Sequence, residues 1–449
     1  MNKANDTANA VTNEVDVRHV IDQAPFAPFQ WLILILGIMV LMLDGYDVAA
    51  IGFVAPKLVS QWGITRPDLA PVLSAALVGL AIGAVAAGPF SDRIGRKRII
   101  VLAAAFFGVF TIAAAFSKSI EMLTWMRFAT GLGLGAAFPN TVTLVAEYCP
   151  QRNRSLLISI LLTGFVLGTA LGGLVAAEVI DLYGWPAVML IGGILPLLLT
   201  VLLSLALPES LRFLVVRGDA DTQIAGIIKR IDSTVSESAH FINSELQKIK
   251  QRTPIRVMLS APLAVGSYLL WLTYFAGLVV IYFILSWMPT LITQQGFELS
   301  AAARLVSFFT LAGPVGAWLA GWVMDRLSPH AVIGVCYFIA AIFLWQVGVH
   351  AGDLSGLYWS VGLAGFFINA SQSTISALAA NFYPTQGRAT GVSWMMGVGR
   401  LGGILGAVAG GTLLKVEMSF GQIFVIMAVS SLVAGAAVLA KGLYYARSH

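Results

Sequence analysis

Apolar runs of spanning length follow one another along almost the whole chain, separated by short polar breaks. A helix that crosses a bilayer needs about 20 mostly apolar residues. Twelve runs meet that length: 30–56, 69–90, 98–117, 121–146, 155–179, 185–207, 263–287, 300–324, 331–350, 356–380, 389–413 and 421–442. The longest polar insert, Pro208 to Arg256, divides them six and six. The pattern predicts an all-α membrane protein of two six-helix bundles, 29–207 and 263–442. Around them lie an N-terminal tail (1–28), a linker loop (208–262) and a C-terminal tail (443–449). The middle of the linker, Asp219 to Gln251, predicts short amphipathic surface helices.

Composition agrees with that pattern. Hydrophobic residues make up 58% of the 449 positions and charged residues 11%, against about 25% charged in a soluble domain. The mean hydropathy is +0.85. A net charge of +5 does not imply nucleic acid here, because no basic run is interleaved with base-stacking aromatics. Membrane proteins collect Lys and Arg in cytoplasmic loops. With the N-terminus inside, 5 of the 27 Lys and Arg fall in outer loops, 2 fall inside spans (Arg127 and Arg400), and the other 20 lie on the inner side. That asymmetry predicts two cytoplasmic termini. The first 28 residues lack the basic start and small-residue cleavage site of a signal peptide. Cys149 and Cys336 show no metal-ligand spacing and read as packed thiols. No metal, cofactor or enzymatic constellation is expected.

The halves repeat each other. Gly83 to Ile94, ending Asp92-Arg93-Ile, matches Gly316 to Leu327, ending Asp325-Arg326-Leu, 233 residues on. Glu147-Tyr-Cys-Pro150-Gln-Arg-Asn-Arg154 matches Asn381-Phe-Tyr-Pro384-Thr-Gln-Gly-Arg388, 234 residues on. Parallel six-helix repeats point to halves that rock about a central site.

Charges inside the spans mark the candidate chemistry. Asp44 and Asp47 lie mid-span on one helix face, at i and i+3. An acid at a helix centre costs roughly 2.5–3.5 kcal/mol on insertion scales, so it calls for a function. Arg127 lies at a similar depth to Asp47, and pairing the two is the economical arrangement. Arg400 has no obvious acid at its depth in its own half. Its guanidinium fork suits a carboxylate ligand, with a salt bridge to a gate acid as the alternative.

These residues sit in patterns with a known likeness. Gly88-Pro-Phe-Ser-Asp92-Arg93-Ile-Gly95-Arg96-Lys97-Arg98 resembles the loop 2–3 signature of the major facilitator superfamily, and Asp325-Arg326 its degenerate copy. Asp44-Gly-Tyr-Asp47, Arg127-x-x-x-Gly131-x-Gly133-x-Gly135, Leu270-Trp271 through Tyr282, and Phe382 through Trp394 to Gly399-Arg400 resemble the aromatic acid:proton symporters of that superfamily. Pro208-Glu209-Ser210-Leu-Arg212 resembles a sugar-porter signature and is read as structural. Thr169 stands where drug:proton antiporters carry proline, which favours symport.

The resemblance implies the twelve-helix major facilitator fold and proton-coupled uptake of aromatic carboxylates such as 4-hydroxybenzoate and protocatechuate across the bacterial inner membrane. Its implied partners are protons, the substrate and the bilayer, with the monomer as the working unit and no nucleic acid. Benzoate, vanillate, muconate or another small organic anion is the alternative cargo, and a non-transporting aromatic-acid sensor is a more distant one. The expected proton carriers are Asp44, then Asp47, then Glu147. The expected substrate contacts are Arg400, then Arg127, with Trp271, Tyr274 and Tyr282 on one face of the seventh span and Asn369 and Gln372 in the tenth. The expected gate comprises Asp92, Arg93, Arg154, Asp325, Arg326, Arg388 and His330. Glu147 is read alternatively as a gate residue, and His330 as a loop residue near Asp325 and Arg326.

Overall fold

A computed structural model of the chain describes residues 14–218, 221–233, 240–242, 263–383 and 388–446. Among them are twelve helices of 20 residues or more. The first six are α1 (Pro28–Trp62), α2 (Ala70–Ile94), α3 (Arg96–Ala115), α4 (Ile120–Tyr148), α5 (Arg154–Tyr183) and α6 (Trp185–Ala206). The second six are α7 (Ala264–Gln294), α8 (Leu299–Met324), α9 (Pro329–Val349), α10 (Leu354–Phe382), α11 (Arg388–Lys415) and α12 (Phe420–Ala446). They fall on the twelve apolar runs. All but α10 are apolar enough to cross a membrane by composition alone. The exception carries Asn369, Ser371, Gln372, Ser373 and Thr374 in sequence, a polar belt at mid-helix.

The packing repeats as the sequence does. In the first half α2 packs on α4, α1 on α5, and α3 on α4 and α6. In the second half α8 packs on α10, α7 on α11, and α9 on α10 and α12. The halves meet through α5 on α8, α2 on α11, and α1 on α7.

Those meetings lie at the end of the bundle away from the chain termini. A Cβ on Gly52 of α1 would collide with the Leu285 carbonyl of α7. One on Gly173 of α5 would press on Ser307 of α8, whose hydroxyl donates to the Ala170 carbonyl at 3.1 Å. Only glycine admits so close an approach of two backbones. At the opposite end Gly88, Gly321 and Gly397 face open space. The protein is therefore closed at its far end and open at the end that carries both termini.

Residues 14–27, expected as a tail, are docked. Glu14–Asp16 pairs in parallel with His240–Ile242 of the linker, and the helix Val17–Gln23 buries Val17 and Ile21. Asp22 accepts from the Gln151 backbone at 2.7 Å, and Arg152 donates to the Ala24 carbonyl at 3.1 Å. The apolar face of a seven-residue helix, too short to stand out as a periodicity, directs this docking. Among its described residues the linker holds two short helices, Leu211–Arg217 and Asp221–Ile228, the second burying Ile224, Ala225 and Ile228. Residues 219–220, 234–239 and 243–262 of the linker, Arg256 among them, lie outside the described residues.

Candidate functional site

The backbone of α1 lies against α5 at the level of Gly45, where a Cβ would overlap the Phe165 carbonyl. That contact fixes the turn carrying Asp44 and Asp47. Asp47 Oδ1 accepts from Arg127 Nη1 at 2.7 Å, and the Asp47 carbonyl accepts from Arg127 Nη2 at 3.3 Å. Both side chains are at most 1% exposed. In so dry a place the pair holds only because each charge is matched and hydrogen-bonded. Asp47 Oδ2, Arg127 Nε and Asp44 Oδ1 are buried without a hydrogen-bond partner among the described residues. Arg127 thus spends two of its nitrogens on α1, which leaves little of it for a ligand.

Arg400 is differently placed. It sits on α11 between Gly399 and Gly403, which receive the rings of Tyr274 and Tyr282 from α7. The small residues let α7 and α11 close together, and the guanidinium emerges beside the two tyrosines. Asp44 lies within electrostatic range of Arg400 from the opposite half, and Tyr282 is within range of both. Arg400 makes no ion pair among the described residues. Asp44, Arg400, Tyr274 and Tyr282 therefore converge between the halves on an arginine whose fork is unspent.

The other expected substrate contacts separate into two groups. Trp271 stacks on Trp394, centroids 6.1 Å apart and planes 21° off parallel, which extends the aromatic wall toward the open end. Gln372 is consumed by packing: it accepts from Tyr337 at 2.8 Å and donates to the Tyr274 carbonyl at 3.2 Å. Asn369 donates to the Gly365 carbonyl at 2.8 Å and reaches the Phe309 carbonyl at 3.4 Å. Their amides join helices, because a polar group inside an apolar bundle takes the nearest backbone partner.

At the open end the geometry reassigns Glu147. Its distance from Arg127 along α4 is 20 residues, about 30 Å, too far to act on the same proton as Asp44. It pairs with Arg96, accepts from Ser210 Oγ at 2.6 Å and lies 3.5 Å from the Arg212 backbone nitrogen. Beside it Glu209 accepts from the Lys97 backbone at 3.0 Å, capping α3, and its carboxylate fills the space under Gly95 at φ 98°. Glu147 and Glu209 tie the loop before α3 to the segment after α6.

Among the expected gate residues, Asp92, Arg93, Asp325 and Arg326 are exposed, and Arg326 stacks on Trp322 at 3.6 Å. Arg154 donates to the Ala146 carbonyl of its own half at 3.0 Å. His330 is a correction: it is no loop residue but part of the first turn of α9, where it meets Lys441 of α12 at 3.0 Å. Arg388 begins α11, and its side chain lies outside the described residues. Cys149 is buried between α4 and α5, which pushes its thiol up to about 11.

Sequence reasoning did not single out Trp394 as a site residue, and it read Glu209 as structural without naming its partners. Trp394 was visible only as one residue of a long motif. Glu209 has a physical signal, a carboxylate whose partners are backbone nitrogens, and only the fold reveals those.

Comparison with known proteins agrees with this arrangement. The model of the Major Facilitator Superfamily matches residues 37–361 and 305–448. The chain is 46% identical over 430 residues to the 4-hydroxybenzoate transporter PcaK of Pseudomonas aeruginosa, covering 96% of each. It is 42% identical to a gallate transporter of Pseudomonas putida, covering 95% of each. Among solved structures, a bacterial homologue of the human lysosomal transporter Spinster, inward-facing and occupied, superposes with a TM-score of 0.73 at 16% identity, over 92% of this chain and 97% of that one. The xylose transporter XylE of E. coli, inward open, superposes with a TM-score of 0.71 at 19% identity, over 91% and 95%.

Proposed function

The chain belongs to the Major Facilitator Superfamily, and on that premise we propose that it takes up an aromatic carboxylate such as 4-hydroxybenzoate or protocatechuate together with protons. It works as a multi-pass transporter of the bacterial inner membrane, by alternating access between its two six-helix halves. The Lys and Arg bias puts both termini in the cytoplasm, so the open end faces inward. The observation that carries the reading is Arg400, without an ion pair among the described residues and flanked by Tyr274 and Tyr282 opposite Asp44.

Charge balance supplies the coupling. With Asp44 ionised, Arg400 already has a counter-charge near it. With Asp44 protonated, that counter-charge is gone and the fork takes the substrate carboxylate instead. Proton and substrate then bind as a neutral set that the closing halves can bury, whereas a lone carboxylate or a lone guanidinium resists burial. The ring lies against the α7 tyrosines, with Trp271 and Trp394 toward the exit. Asp47 and Arg127 stay paired and hold α1 on α4. Asp92, Arg93, Arg154, Asp325, Arg326 and Arg388 meet when the inner side closes.

Calorimetry of 4-hydroxybenzoate binding in two buffers of different ionisation enthalpy tests the coupling. The wild type takes up about one proton per ligand, and Asp44→Asn takes up none. Equal proton uptake by both would remove Asp44 from the coupling. Gallate is the second reading, favoured by the 42% relative, and its competition against 4-hydroxybenzoate ranks the two.

A further inference from the structure

We propose that the closed end of the bundle carries a phospholipid site in the seam between the two halves, separate from the substrate cavity. A groove of about 560 Å³ opens there on the outer face of the bundle. Leu174 of α5 forms its wall from the first half, and residues of α8 and α10 form the rest. Its lining changes character with depth. Arg304 and Ser355 lie near the outermost turns of α8 and α10, and Tyr358 and Trp359 follow, with Trp359 70% exposed. Phe308 and Leu311 continue inward along α8. From Arg304 to Leu311 is seven residues, about 10 Å along the helix.

That gradient fits a diacyl phospholipid. The guanidinium of Arg304 is exposed and, among the described residues, bonded only to Ser300 of its own helix, through the carbonyl at 3.3 Å and the hydroxyl at 3.4 Å. Those weak contacts leave it able to turn onto a phosphate. Tyrosine and tryptophan favour the interface level, where one edge is wet and the other apolar. Below them the groove is aliphatic and aromatic and continues to the depth of acyl chains. A soluble anion would use Arg304 and leave that wall uncovered.

The place gives the lipid a consequence. Ser307 lines the same groove and is the residue that donates across to Ala170. A lipid seated there touches both halves where they close, and its acyl chain covers the joint between α5 and α8.

The test uses the full chain in detergent, titrated with phosphatidylglycerol and with phosphatidylethanolamine and read by native mass spectrometry. Arg304→Gln removes the phosphate contact at an exposed position, and Leu311→Trp fills the apolar floor at a position already 43% exposed. Retention of one lipid that each variant weakens about tenfold is the expected result, with either headgroup. Equal retention by the wild type and both variants overturns the site. Displacement of the lipid by glycerol 3-phosphate alone overturns it as well, because the groove would then be an anion site.

Discussion

Two acids three residues apart on one helix have opposite circumstances. Asp47 is held by Arg127, whereas one oxygen of Asp44 has no partner among the described residues. Replacing Asp47 by Asn leaves a buried guanidinium uncompensated and costs about 3–5 kcal/mol. Replacing Asp44 by Asn breaks no ion pair and costs within about 1 kcal/mol. Thermal unfolding of the two variants in detergent checks this contrast, and equal losses would contradict it. Arg400→Lys keeps the charge and loses the fork, so 4-hydroxybenzoate binding weakens about tenfold. Unchanged affinity would take Arg400 out of the site. Charges inside apolar spans were the legible part of the site, because hydrocarbon permits them only with a purpose. Gln372 and Asn369 were not legible in the same way. A neutral amide serves a ligand or a neighbouring backbone equally well, and only its partners show which: Tyr337 and the Tyr274 carbonyl for Gln372, the Gly365 carbonyl for Asn369.

The helices followed from length and apolarity, but their ends did not: α1 and α5 run past the expected 56 and 179 to Trp62 and Tyr183, where Gly63 and Gly184 take positive φ. The element pairing followed less directly. The repeat at 233–234 residues implied like halves, yet nothing in the periodicity says which helix of one half meets which of the other. Glycine position decides it: Gly52 and Gly173 lie where backbones cross between halves. A valine at Gly52 collides with the Leu285 carbonyl and holds the far end apart. Ser307, 4% exposed in this state, then becomes reachable. In a Ser307→Cys background, Gly52→Val should speed maleimide labelling severalfold, and unchanged protection would show that the joint closes some other way. The docked N-terminal segment was hidden for a related reason. A strand of three residues and a seven-residue helix carry too few apolar positions to be read before their partners are known.

As a whole the molecule is two like bundles around one midplane cluster, shut at one end and open at the other. That shape and the unspent Arg400 fork imply a carrier in which a proton and an aromatic carboxylate cross together. The most direct test is uptake of labelled 4-hydroxybenzoate into proteoliposomes with and without an inward proton gradient. The account predicts accumulation above equilibrium only with the gradient, abolished by a protonophore and by Asp44→Asn. Accumulation that ignores the gradient, or no uptake by intact protein, would contradict it.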